Sequence, residues 1–390
     1  MSLPPPRDPV AAVTHPDPYP YYAELVAARP LYRDDALGLW VASSAQAVTA
    51  VLLSPLARVR PPAEPVPKAL LGTPAGEIFR RLIRMTDGSA HEAAKYAVAA
   101  TLQSLDAERV AEESARWARP LAGDGIDPAG LTSFAFALPV HVVGSLLGIP
   151  PARLRQTSEW MGQFVRCLAP ASTPAQIERG KSAAGQLLAL GRETLDGAAS
   201  DDLLPLLGRQ AGRAGIESVN TVIANGIGFM SQAYEATAGL IGNTLLALAA
   251  QPGLRETVAL EPALLPAVVR EVLRHDSPVQ NTRRFVAAAG RVADRDMAEG
   301  DSVLVVLAAA NRDPAANARP HDFDARRLDR RLFTFGMGPH ACPGEMLAVG
   351  IAAAGVNALL AAGLDLAGLP ARLTYRPSAN ARIPLFDMLN

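Results

Sequence analysis

Between His91 and Ala250 the chain is patterned almost continuously for helix, and this limits the folds open to it. Apolar residues recur at helical spacing over 91–103, 106–121, 131–147, 151–168, 174–198 and 217–250, punctuated by Asp127-Pro128 and Ile149-Pro150-Pro151. Further helices are expected over about 262–275 and 351–362. Aromatic residues make up only 5%, and most of the apolar mass is Ala, Leu and Val. Ala and Leu are strong helix formers, so composition and pattern agree. With 390 residues, 49% of them hydrophobic, the chain buries a large core and is no disordered tail.

The flanks read differently. Prolines up to Pro20 forbid a regular helix in the first segment. Short helices are expected at Tyr21–Ala28 and Ala45–Leu53, with a small hairpin around Leu31 and Leu39–Val41 between them. From Ser54 to Pro74 the chain is proline-rich and reads as a long loop, and such loops are often functional. After the 262–275 helix the period changes. Arg283–Ala288 and Ser302–Val306 read as strands, Asn311–Phe335 has no clear period, and the last residues read as a hairpin. The expectation is a mainly α fold: one α-rich domain over 1–390, with small β-sheets near 30–42, 283–306 and 372–390.

Composition also excludes functions. Lys+Arg number 37 against 38 Asp+Glu, so no basic field supports nucleic-acid binding. Two cysteines, Cys167 and Cys342, rule out a disulfide framework. The start, MSLPPPRDPV, lacks the apolar core of a signal peptide. The apolar stretch Val222–Ala250 is interrupted by Asn225, Ser231, Gln232, Glu235 and Asn243, and reads as a buried helix rather than a membrane span. A cytoplasmic monomer with no membrane contact is expected.

The chemistry concentrates in Phe335-Gly336-Met337-Gly338-Pro339-His340-Ala341-Cys342-Pro343-Gly344. Three glycines and two prolines around one cysteine make a tight turn before a helix. Glycine allows positive φ and lets backbone approach a flat ligand. Backbone N–H groups and the following helix N-terminus favour a thiolate. A lone cysteine is most often a small buried hydrophobe. Zinc needs more ligands than His340 and Cys342 supply, and a dinucleotide fingerprint lacks its third glycine at Ala341.

This segment resembles the heme-binding loop of the cytochromes P-450, F-G-x-G-x-H-x-C-x-G, at all six specified positions. Glu271-Val-Leu-Arg274 matches the family's E-x-x-R, whose spacing puts both side chains on one helix face. Asn311-Arg-Asp-Pro314 and Pro320–Arg327 resemble the family's meander, and the resemblance implies that Arg327 completes a structural triad with Glu271 and Arg274. It implies a heme b held by the Cys342 thiolate within a loop that includes Phe335, Gly336 and Gly344. Arg284, His340, and His91 with Lys95 fall on its propionate-binding positions. Lys95 stands where the family has arginine and offers a point charge in place of a bidentate fork. The implied activity is insertion of one oxygen atom into a medium-sized hydrophobic substrate of specialised metabolism. Electrons are expected from NAD(P)H through a ferredoxin or flavodoxin partner.

Two positions depart from the family pattern. The central helix carries an acid followed by threonine in the family, and here reads Gln232-Ala233-Tyr234-Glu235-Ala236-Thr237. Glu235 keeps the acid; Ala236 replaces the alcohol. Thr237 lies about 100° further round the helix, whereas Gln232 shares the face of Ala236. A substrate hydroxyl or water, peroxide or a non-hydroxylating oxidation, or Gln232 itself are the three ways to meet that loss. After the cysteine, Leu347-Ala348-Val349-Gly350-Ile351 lacks the charged pair common on that helix. Arg326, Arg330 and Arg331 are then the basic candidates for contact with an acidic redox partner. A non-catalytic heme-binding module is the alternative reading. Substrate walls are expected from residues 60–84, 160–170, 228–236, 279–283 and Ile383–Phe386.

Overall fold

A computed structural model describes residues 4–169 and 171–386. The ends of the expected domain and of the expected 372–390 β portion, 1–3 and 387–390, lie outside the described residues. In chain order the elements are α1 (Tyr19–Ala28), β1 (Leu31–Asp34), β2 (Leu39–Ala42), α2 (Ala45–Leu53), β3 (Ala57–Arg58) and α3 (Pro74–Arg81). Then come α4 (Ser89–Leu102), α5 (Ala107–Ala122), α6 (Pro128–Leu146), α7 (Pro151–Cys167), α8 (Pro174–Gly197), α9 (Leu203–Arg213) and α10 (Val219–Ala250). The C-terminal part holds α11 (Pro252–Leu260), α12 (Leu265–His275), β4 (Thr282–Val286), β5 (Gly290–Val292), β6 (Arg295–Met297), β7 (Ser302–Val305), α13 (Leu307–Asn311), α14 (Glu345–Ala361), β8 (Leu373–Tyr375) and β9 (Pro384–Phe386).

Local chemistry sets the helix starts. Side chains of Ser44, Thr73, Asp106, Asp127 and Ser218 each accept a backbone N–H from the first turn of the helix that follows, and Thr173 with Gln176 forms a reciprocal cap. Proline opens α3, α6, α7, α8 and α11, where its missing N–H costs nothing. The expected 54–74 loop contains β3 and a 3-10 turn at Lys68–Leu70, and gives way to α3 at Pro74.

The large core joins α3–α12 with α14, and two smaller cores lie on the sheet side. The five-stranded sheet runs β1-β2-β7-β4-β3, antiparallel throughout except for the parallel pair β2 and β7. Helix α10 crosses the middle of the molecule against α6, α14 and α12. The expected apolar stretch in α10 is not the one with membrane-like composition. Gly338–Ala361, mostly α14, has that length and a mean hydropathy of 1.6, and half of it is buried in the protein. Core helices of folded domains have the same composition when they pack on every side.

Candidate active site

The cysteine loop is shaped by its own backbone. Cys342 N–H donates to Phe335 O at 2.8 Å, and Gly336 N–H to Phe333 O at 2.8 Å. Gly336 and Gly338 have φ of 63° and 66°, a region that only glycine enters freely. A Cβ on Gly338 would also meet Leu53 Cδ2 at 2.6 Å. Gly344 N–H points at Cys342 Sγ, 3.4 Å away, at the start of α14. Cys342 is accessible, yet burial raises its thiol pKa above the ordinary value despite the Gly344 N–H and nearby Lys95. The Gly344 N–H and Lys95 both act to favour the thiolate, as expected, against the effect of burial. A bound metal cation deprotonates such a ligand.

Lys95 is the cation that acts on this sulfur. Lys95 Nζ bonds to Ala341 O. His91 is 3% exposed, and burial, His340 and Lys95 push its ring down to about 4, so it is neutral at pH 7. Its ring lies 4.1 Å from that of His340. His340, expected to face a propionate, instead has Nε2 3.1 Å from Asp87 Oδ1, which leaves only Nδ1 for another partner. Arg284 is 7% exposed and, among the described residues, bonds only to Thr282 Oγ1 and Arg283 O. A buried guanidinium with no carboxylate at ion-pair distance is costly. An anionic group such as a propionate offsets that cost, so the residues fit a heme.

Helix α10 carries the next group of expected residues. Glu235 pairs with Arg376 Nη2 at 3.1 Å, and Arg376 lies 5.0 Å from the Phe136 ring. Phe136 in turn packs on Tyr234 at 4.8 Å. Arg376 was not legible in the sequence, since it reaches Glu235 from just beyond β8. Ala236 is half-buried and offers no polar atom. Thr237 is 1% exposed, and among the described residues its Oγ1 has no hydrogen-bond partner. Gln232 is exposed on the Ala236 stripe and, among the described residues, its amide has no hydrogen bond.

The expected triad is a group of four. Glu271 Oε1 accepts from Arg274 Nε at 3.0 Å and Nη2 at 2.6 Å, and from Arg327 Nε at 3.4 Å. Its other oxygen accepts from Arg330 Nε at 2.8 Å. Arg330 is thus no docking residue, and Arg326, the second candidate, pairs with Glu261 at 2.6 Å. Arg331 remains exposed, 5.7 Å from the Phe333 ring.

A family model described as Cytochrome P450 matches residues 213–358. The C-19 steroid 1alpha-hydroxylase of Sorangium cellulosum is 31% identical over 69% of this chain and 70% of its own length. The chain belongs to the cytochrome P450 family. This P450 is also 34% identical to Cytochrome P450 107B1 of Saccharopolyspora erythraea, over 56% of the chain and about half (53%) of that relative. The 20-oxo-5-O-mycaminosyltylactone 23-monooxygenase of Streptomyces fradiae is 29% identical over 87% of the chain and 81% of that relative. Among solved structures, CalO2 superposes with a TM-score of 0.84 at 28% identity, covering 97% of this P450 and 96% of CalO2. As a family member the P450 is a heme-dependent monooxygenase, with heme b as cofactor and NAD(P)H as the source of electrons through partner proteins.

Proposed function

We propose that this P450 oxygenates a medium-sized hydrophobic molecule of specialised metabolism, with Cys342 as the iron ligand. The observation that carries the reading is the accessible Cys342 sulfur in a glycine-shaped loop, together with a buried Arg284 that has no ion pair among the described residues. Bound heme supplies activation of dioxygen and transfer of one oxygen atom to the substrate. Lys95, Arg284, His91 and the free Nδ1 of His340 hold its propionates; Phe335, Gly336 and Gly344 shape the loop against its face. Glu235 carries protons on the α10 side, held in place by Arg376. Gln232 orders a water on the stripe where Ala236 leaves a gap. Thr237 takes no part, because its hydroxyl is buried away from that stripe. Glu271, Arg274 and Arg327 keep the structural role. The protein acts as a single-domain cytoplasmic monomer and takes electrons from a ferredoxin or flavodoxin.

Ala236 favours a second reading, in which peroxide serves as oxidant or the oxidation inserts no oxygen. A non-catalytic heme-binding module has no use for the Glu235–Arg376 pair. The test is the carbon monoxide spectrum of the dithionite-reduced protein, in wild type and Cys342→Ala. A strongly red-shifted Soret band that the substitution abolishes is expected. An absent band, or one the substitution leaves unchanged, overturns the assignment. Turnover driven by ferredoxin as well as by peroxide is expected of the first reading, and turnover by peroxide alone supports the second.

A further inference from the structure

Lysine stands at position 95 where the family has arginine, and that lysine reaches the cysteine loop. His91 and Lys95 are four residues apart on α4 and share one face of it. That face meets the loop at two points. The His91 ring lies 4.1 Å from the His340 ring, and Lys95 Nζ donates to Ala341 O. His340 is held from its other side by Asp87 Oδ1, while Asp87 Oδ2 accepts the Val59 N–H at 3.1 Å. The seat of α4 on the loop is therefore fixed by side chains on both elements.

Ala341 O belongs to the peptide whose nitrogen is that of Cys342. The N–H of the same peptide donates to Phe335 O at 2.8 Å. The peptide is held at both ends, and the half-buried Lys95 ammonium is kept beside Cys342. Burial raises the Cys342 pKa, and the Lys95 charge acts against that rise. Glu345 acts on the sulfur in the opposite sense, but its side chain is partly exposed and lies 3.7 Å from Arg270. An ammonium carries three donors that point in different directions. One serves Ala341 O, and the others stay free for a propionate. A guanidinium has its donors in one plane and turns its fork to a carboxylate.

We infer that Lys95, besides holding a propionate, raises the reduction potential of the bound heme by acting on Cys342 from the loop. This rests on the reading of Cys342 as the iron ligand. A thiolate gives electron density to iron and favours its ferric form, and groups around the ligand tune that effect. A positive charge beside the sulfur draws on the same density, and a half-buried charge is screened less than one on the surface. On reduction the iron takes one electron from the partner proteins, and no bond or proton moves. Lys95 favours the side of that step that holds the added electron. It touches the loop and not the reacting atoms, so it is a positioning residue.

The test is spectroelectrochemistry at pH 7.5 on substrate-free, heme-loaded wild type, Lys95→Gln and Lys95→Arg. Heme content and the iron–sulfur stretching frequency from resonance Raman are read on the same samples. Lys95→Gln is expected to lower the equilibrium constant for reduction about ten-fold, or ~59 mV for one electron. Its iron–sulfur stretch is expected to rise. Lys95→Arg keeps the charge but draws it towards the propionate, so its potential is expected to lie between the two. An unchanged or higher potential in Lys95→Gln overturns the inference. If Lys95→Gln does not hold heme, Lys95→Arg carries the test. A potential and a stretch equal to wild type in Lys95→Arg then overturn the inference and leave Lys95 a propionate contact alone. The two readings fail separately: the carbon monoxide band reports on Cys342 as ligand, and the potentials report on Lys95.

Discussion

Glu271 is 0% exposed and accepts from three arginines and from the Asp324 N–H. Those hydrogen bonds keep its pKa below the usual carboxylate value against burial. Arg274 goes on to donate to Pro320 O at 2.7 Å and Asp322 O at 2.8 Å, so a segment with no periodic structure of its own is tied to α12. Its neighbour His275 gives the residue-scale prediction. Burial, with Arg312 Nη2 2.9 Å from its Nδ1, pushes the ring down to about 4. Asp276, Arg274 and the His321 carbonyl also act on it. The ring is neutral when folded and takes a proton on unfolding near its ordinary value. The stability it contributes is present above pH 6.5 and is lost as pH falls towards 4, by up to about 3 kcal/mol. Urea midpoints at pH 7.5 and 4.5 should fall further in wild type than in His275→Gln; equal falls would falsify the assignment.

Among the elements, α7 and α8 pack closely because Gly180 has no side chain. A Cβ there would lie 2.2 Å from Cys167 Cβ and 3.0 Å from Gln163 O. Gly180→Ala is expected to force the helices apart and cost about 1–3 kcal/mol as overpacking, read as a lower denaturant midpoint; an unchanged midpoint would mean that the crossing is loose. Sequence periodicity located the long helices because their apolar stripes repeat many times. It missed α3, α9 and α11. The cysteine loop and Glu271–Arg274 were legible because their partners are local. Arg376 and Asp87 were not, since each meets its partner across a long stretch of chain. The same limit hid Arg330, whose side chain reads as surface charge until the fold brings it to Glu271.

At the scale of the whole molecule, Arg382 links the two ends of the described chain. It donates to the carbonyls of Val13, His15 and Pro16, to the Tyr375 hydroxyl, and to Asp276 at 3.0 Å. Tyr19 donates to the same Asp276 carboxylate at 2.6 Å, and the Arg312 guanidinium lies 3.5 Å from the Tyr19 ring centre. Arg382→Gln leaves Asp276 half-paired and three carbonyls unmatched, at a cost of about 3–5 kcal/mol. The expected result is faster subtilisin cleavage within residues 4–18, and a cleavage pattern identical to wild type argues against the link.

The sheet carries a consequence for how the protein is made. β2 pairs in parallel with β7, Trp40 opposite Val303, more than 260 positions later in the chain. A ribosome adding residues at the usual rate needs about 13 to 50 s to supply that partner. Through that interval the hairpin of β1 and β2 has one edge without hydrogen bonds, and a bare strand edge invites another chain. During synthesis the β2 edge near the beginning of the chain therefore stays open to other chains until β7 near its end emerges.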